Sequence, residues 1–164
     1  MLCAQGLELT LSGAGGPPSA HLSFHWNQPA TLIQSLKSGL ESSIGFTFRL
    51  YELRRTPWPF RGDKLVMQKT VTRTAYWDPL DGTFVVEQDD GTRRAYPDGA
   101  ALLDAFFTVS QVLLSPTSSV RGRSLYTMAR AQFEPVRLMP PLTLVSMVGA
   151  TGSVATPWIR KDLP

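Results

Sequence analysis

Apolar and polar residues alternate along much of the chain, a pattern typical of β-strands whose two faces meet different surroundings. The most regular alternation places four large apolar side chains on one face: Ile44, Phe46, Phe48 and Leu50. Because a register shift of one residue would expose all four, we expect a firmly set register and a central strand here. The same period predicts further strands over residues 7–11, 22–26, 64–77, 83–88, 92–96, 124–133, 142–148 and 153–159.

Two segments have the spacing of α-helices instead. The first has apolar residues on one helical face, with Asn27 as a candidate N-cap and Gly39 where a helix usually ends. The second begins at Asp98, another candidate cap, and keeps its apolar side as far as Leu113. We predict that this second helix ends near residues 115–116.

Mostly antiparallel strands with two helices predict a β-rich, sandwich-like fold that carries its helices on the side or end of the sheets. The 164 residues, 43% hydrophobic and 18% charged, have the composition of a globular chain large enough to bury a core. Repeats, linkers and low-complexity tracts are absent from the sequence. We therefore predict one β-rich domain over residues 6–164.

The first five residues, Met1 to Gln5, are mostly apolar and include small residues, as the end of a secretory signal does. They are either a signal-peptide remnant or an ordinary amino terminus. An uncharged stretch over residues 138–159 is long enough to span a membrane, but prolines and glycines interrupt it. We expect strands there and no transmembrane span.

Charge and metal-ligand patterns disfavour two classes of partner. The net charge of +3 comes with arginines dispersed along the chain, whereas nucleic-acid binders concentrate basic residues on one face. His21 and His25 would share one face of a strand but lie roughly 13 Å apart, too far to share one metal ion. The acidic residues near 78–81 and 89–91 fit turns. We expect no nucleic-acid partner, no metal and no cofactor.

Sequence motifs for catalysis are also absent. There is no G-x-S-x-G motif, and the one cysteine, Cys3, lies at the extreme amino terminus. We therefore predict no catalytic residues and no enzyme. Carboxylates that meet only in the fold remain an alternative, which would make the protein a hydrolase.

The segment from Arg54 to Gly62 combines three arginines with two large aromatic residues and two prolines. Arginine and tryptophan often anchor protein interfaces, and arginines also bind anionic lipid headgroups. The sequence predicts a loop with an interaction surface made of Arg54, Arg55, Trp58, Phe60 and Arg61. In a second interpretation, the aromatic rings cover a core edge while the arginines face water. Trp158 allows the same two interpretations, and there burial in the core is favoured.

Several segments together resemble the exported bacterial family called domain of unknown function 4390. The resemblance spans nearly the whole chain and rests on Ser35–Leu40, Ile44–Phe46, Arg49–Tyr51, Tyr76–Asp78, Phe84–Gly91, Leu102–Leu114, Tyr126–Arg137 and Thr156–Trp158. It implies a signal peptide and a cell-envelope location. It implies no activity and no functional residues.

The leading hypothesis is an exported, periplasmic or envelope-associated binding or assembly module without enzymatic activity. Its partner would be an envelope protein or a lipid surface. One alternative is a carrier of a small apolar ligand or lipid, held between the sheet and the helix predicted at 102–114. The other alternative is the hydrolase with spatially assembled carboxylates.

Overall fold

The computed structural model describes residues 6–12, 18–54, 62–114, 124–137 and 152–163. Its two helices are α1 (Pro29–Lys37) and α2 (Gly99–Phe107). Its strands are β1 (Gly6–Ser12), β2 (Ser19–His25), β3 (Glu41–Glu52), β4 (Lys64–Asp78), β5 (Thr83–Gln88), β6 (Arg93–Tyr96), β7 (Thr108–Leu113), β8 (Leu125–Arg137), β9 (Val154–Ala155) and β10 (Ile159–Asp162). The predicted segment 142–148 lies outside the described residues.

The strands form two antiparallel sheets. The small sheet has the order β1-β2-β7, and the large sheet has the order β10-β8-β3-β4-β5-β6, with β9 also paired to β8. One cluster of buried apolar residues draws on both sheets and both helices. The predicted β-rich fold with two packed helices is therefore confirmed.

Strand β3 is central, as predicted, because β4 pairs along one side of it and β8 along the other. Its four inward side chains are fully buried: Ile44, Phe46, Phe48 and Leu50. Beside Ile44 on the same face of the sheet, Phe133 of β8 joins an aromatic group with ring-centroid distances of 5.7 Å to Phe24, 5.3 Å to Phe107 and 4.9 Å to Trp26. These contacts join the large sheet, β2 and α2 into one core.

Helix α1 begins one residue later than the predicted cap implies. Its N-cap is Gln28, which makes no side-chain capping bond, and Pro29 is the first helical residue. Proline favours that position and keeps the residue before it out of the helical region, so Gln28 rather than Asn27 takes the cap. The helix ends before Gly39, which has a positive φ of 85°.

Helix α2 begins as predicted, because Asp98 accepts a hydrogen bond of 2.8 Å from the Ala101 amide. Its predicted end near residues 115–116 is wrong. The helix ends at Phe107, and the chain continues directly as β7.

Tertiary contacts explain this early end. Strand β7 pairs with β2 and buries Val109 and Val112 in the shared core. The guanidinium of Arg73, in β4, donates hydrogen bonds to the carbonyls of Ala105 and Thr108. It therefore satisfies helix-end carbonyls that a continuing helix would have bonded itself.

The carboxyl-terminal segment follows the edge of β8 as two short strands rather than one strand over 153–159. Between them, the Thr156 amide donates to the Ala131 carbonyl, and the Ala131 amide donates to Thr156 Oγ1. Pro157 has no amide hydrogen, so the ladder is interrupted at this point. Pro135 coincides with an irregularity in the β3–β8 pair, whose register shifts between Glu41 and Ser43.

Candidate functional site

The large sheet has one face on the core and a second face against which none of the described helices or strands packs. We call this second face the outer face. In β3, β4 and β8 it consists of Glu41, Ser43, Gly45, Thr47, Arg49, Tyr51, Gln68, Thr70, Thr72, Thr74, Tyr76, Tyr126, Met128, Arg130, Gln132 and Glu134.

Two arginines on the outer face hold a tryptophan. The guanidinium carbon of Arg49 lies 4.6 Å from the centre of the Trp158 ring, and that of Arg130 lies 4.9 Å from it. Arg49 Nε also donates a 2.9 Å hydrogen bond to Gln68. Arg130 Nε is buried without a hydrogen-bond partner, so the aromatic ring is a favourable neighbour for its charge.

Trp158 reaches this position by continuing the alternation of β10, in which Trp158 and Arg160 lie on the outer face on either side of an inward residue. The next residue, Ile159, packs against the core. Trp158 is half-buried and is not part of the core cluster. The favoured interpretation of Trp158 as a core residue is therefore wrong.

A second stack adjoins the first along the same strands. The rings of Tyr51 and Tyr126 are stacked with centroids 5.3 Å apart, and the guanidinium carbon of Arg160 lies 3.8 Å from the centre of the Tyr126 ring. Arg160 also forms a 3.1 Å ion pair with Asp162. We call Arg49, Tyr51, Tyr126, Arg130, Trp158 and Arg160 together the arginine–aromatic cluster.

Asp63 fixes one end of this cluster. Its carboxylate accepts hydrogen bonds from the Tyr126 hydroxyl (2.8 Å) and from the Arg54 amide (3.1 Å). The hydrogen bond from Tyr126, followed by that from the Arg54 amide, lowers the pKa of Asp63. Burial, followed by the hydrogen bond to Asp63, raises the pKa of Tyr126 to about 12.

Among the sequence-predicted site residues, Arg54 is exposed at the end of β3. Arg55, Trp58, Phe60 and Arg61 lie outside the described residues. Asp63 contacts both Arg54 and Tyr126, so the predicted loop leaves and rejoins the described chain next to the arginine–aromatic cluster.

The opposite end of the outer face carries acidic residues around a cavity of about 380 Å³. Glu41, Glu87 and Asp89 line it together with threonine and tyrosine hydroxyls. Glu87 forms a 2.9 Å ion pair with Arg93, and Asp89 accepts a hydrogen bond of 3.3 Å from the Thr72 amide. Two of these three carboxylates therefore already have partners.

Within the described part of the chain, no group of three or more metal-ligating side chains could hold a metal ion. His21 and His25 are both exposed on β2. Asp78 accepts a 2.9 Å hydrogen bond from the Leu80 amide, and Asp90 accepts one of 2.8 Å from the Thr92 amide. These acidic residues stabilise turns, as their sequence context suggested.

A family model described as "Domain of unknown function (DUF4390)" matches residues 8–162. The chain belongs to this family, as the sequence resemblance indicated. No curated protein and no solved structure matches the chain. Among the described helices, none is long and apolar enough to cross a membrane.

Proposed function

We propose that the protein is an exported, non-enzymatic binding or assembly module of the bacterial cell envelope, and that the outer face is its binding surface. One observation carries the proposal: the outer face holds the arginine–aromatic cluster and no described helix or strand packs on it. The two alternatives, a carrier of an apolar ligand and a hydrolase, stay predictions.

The composition and geometry of the cluster suit binding. Tyrosine, tryptophan and arginine are enriched where proteins bind partners, and their rigid or planar groups lose little freedom when they do so. In this cluster Trp158 and Gln68 already orient Arg49, and Tyr126 orients Arg160. A partner would therefore meet side chains that are largely held in place before it arrives.

The predicted loop begins beside the same surface. It begins at Arg54, whose amide is bonded to Asp63, and Asp63 is bonded in turn to Tyr126 of the cluster. A loop that carries Arg55 and Trp58 from this point would add anchors of the same chemical kind. Replacing Arg55 and Trp58 with alanine should weaken partner capture without lowering the melting temperature. Loss of folding in that variant would show that the loop is structural.

The proposal is tested by chemical crosslinking of the chain in its own cells, followed by identification of the crosslinked products. The variant Arg49→Glu/Arg130→Glu reverses two charges of the cluster. Lys69→Glu/Arg94→Glu makes the same charge change at two exposed residues that are not on the outer face. We expect the control to give the wild-type products and the cluster variant to lose them. Wild-type products from a folded cluster variant would overturn the proposal.

Location is tested separately by fractionating the same cells. The export part of the proposal requires the chain in the envelope fraction. Recovery of all of it with the cytoplasm would contradict export but would leave the binding surface to be judged by the crosslinking result.

A further inference from the structure

Opposite charges occupy matching positions on the two halves of the outer face. In β8, Glu134 and Arg130 lie at equal distances on either side of Gln132, and Gln132 pairs with Gly45 of β3. In β3 itself, Glu41 and Arg49 lie at equal distances on either side of Gly45. The row through Gly45 and Gln132 therefore separates Glu41 and Glu134 from Arg49 and Arg130.

We propose that the outer face binds the outer face of a second copy of this chain. The two-fold axis would lie in the interface, perpendicular to the strands, along the row through Gly45 and Gln132. A half-turn about this axis brings Glu134 over Arg130 of the second copy and Glu41 over its Arg49, and the reverse pairs follow by symmetry. All four pairs join opposite charges.

The distances permit these contacts. Arg49 lies four residues from Gly45, which is about 13 Å along a strand. Two twisted sheets pack face to face with their strands about 30° apart, which displaces the outermost pair by about 7 Å from direct superposition. Extended arginine and glutamate side chains reach across such an offset. Arg130 and Glu134 lie nearer the axis and are displaced by about half as much.

The centre of the face allows close approach. Ser43, Thr47, Thr70 and Thr72 are small, and Gly45 has no side chain. Nothing within the described part of the chain requires this glycine: its φ is not positive, and an added Cβ would meet no described atom within 4 Å. Glycine within a strand usually weakens it and often marks a place where another chain comes close. Contact with a second copy accounts for Gly45.

Charge complementarity favours a second copy of the chain over other partners. An acidic protein or an anionic lipid surface would suit Arg49 and Arg130 but would be repelled by Glu41 and Glu134. A second copy with its strands in the opposite direction places glutamates over the arginines and arginines over the glutamates. This inference rests on the proposed function, since it names one partner for the same binding surface.

The purified chain tests the inference by sedimentation equilibrium. We expect a concentration-dependent shift from the monomer mass of 18.1 kDa to twice that mass. Raising the salt from about 0.1 M to about 1 M shortens the screening length from about 10 Å to about 3 Å and should reverse the shift. A wild-type chain that stays monomeric at low salt across the whole concentration range would overturn the inference.

A charge exchange identifies the contacting residues. Arg130→Glu alone and Glu134→Arg alone each bring like charges together, so each should weaken self-association by about tenfold or more. An equimolar mixture restores both opposite-charge pairs and should associate at least as well as the wild type. Wild-type self-association of either variant, or a mixture that stays monomeric, would refute the arrangement.

Gly45→Arg tests the same interface without relying on the charged rows. An added Cβ at this position meets no atom of the described residues within 4 Å, so the variant should keep the wild-type fold, checked by circular dichroism, and should be monomeric. Dimers of this variant would also overturn the inference. The purified chain could be monomeric while crosslinking in cells still depends on Arg49 and Arg130. That result would support the proposed function and would exclude only the second copy as the partner.

Discussion

Trp158→Ala distinguishes a tryptophan held on the outer face from one buried in the core. On the outer face the substitution removes two cation–π contacts, at 4.6 Å from Arg49 and 4.9 Å from Arg130, from a half-buried ring. Each contact is worth about 0.5–1 kcal/mol at an exposed site. We therefore expect a loss of about 1–2 kcal/mol, whereas emptying a core position costs about 3–5 kcal/mol.

The assay is urea unfolding followed by far-ultraviolet circular dichroism, which does not depend on the fluorescence of the residue removed. Phe133→Ala serves as the core control and should cost about 3–5 kcal/mol, because Phe133 is fully buried among four aromatic rings. A double-mutant cycle of Trp158→Ala with Arg130→Met should give a coupling free energy of about 0.5–1 kcal/mol.

Two results would refute this reasoning. If Trp158→Ala lowered the free energy of unfolding as much as Phe133→Ala does, the indole would be part of the core packing. A coupling free energy of zero between Trp158 and Arg130 would mean that the ring and the guanidinium do not stabilise one another.

Four further results are expected from the same unfolding assay. Arg73→Met should cost about 1.5–3 kcal/mol, because it removes charged hydrogen bonds at the end of α2; a change below about 0.5 kcal/mol would contradict that role. The lowered pKa of Asp63 predicts a contribution to stability that is present above the ordinary carboxyl pKa of 3.8 and is lost as the pH falls through the folded value. The pKa of Tyr126, raised from 10.0 to about 12 by burial and then by the hydrogen bond to Asp63, predicts a contribution to stability that is present below pH 10.0 and is lost as the pH rises to about 12. Tyr126→Phe should remove this part of the alkaline dependence, and an unchanged pH profile would contradict the raised pKa. Gly45→Ala should leave the free energy of unfolding of the monomer unchanged or raise it. Gly91→Ala should lower it by about 1 kcal/mol, because Gly91 has a φ of 79°. Equal effects of the two substitutions would contradict the claim that only Gly91 is needed for its backbone conformation.

Local sequence pattern was sufficient for the central strand β3 and for the pair of strands β5 and β6. Ile44 to Leu50 has one register that buries its apolar face, and the turn at Asp89–Gly91 leaves little choice of hairpin. These features depend on neighbours along the chain, so they can be predicted without knowing the strand order.

The end of α2 could not be predicted in this way. Val109 and Val112 are three residues apart, a spacing that fits one face of a helix. Both are buried in β7 because its register against β2 shifts by one residue near Gln111, which has a positive φ of 57°. Whether these residues form helix or strand depends on two distant parts of the chain. Strand β2 pairs with them along its edge, and Arg73 donates hydrogen bonds to the carbonyls at the end of α2. Tertiary contacts decided this boundary.

The candidate site was only partly predictable for the same reason. The alternation in β3 places Arg49 and Tyr51 together on its polar side, a signal visible in the sequence. Their neighbours Arg130 and Trp158 become recognisable only when β8 is known to pair with β3 and the interrupted edge strand is known to follow β8. The strand order was the missing information.

Hydroxyl-radical footprinting most directly tests the claim that the outer face is a binding surface. Met128 and Trp158 report on the outer face, and the exposed His21 and His25 report on the small sheet. The chain is labelled in its own cell envelope and as a dilute purified sample at high salt. The account predicts that Met128 and Trp158 are protected in the envelope while both histidines react equally in the two samples. Protected histidines, with Met128 and Trp158 as reactive as in the dilute sample, would contradict it.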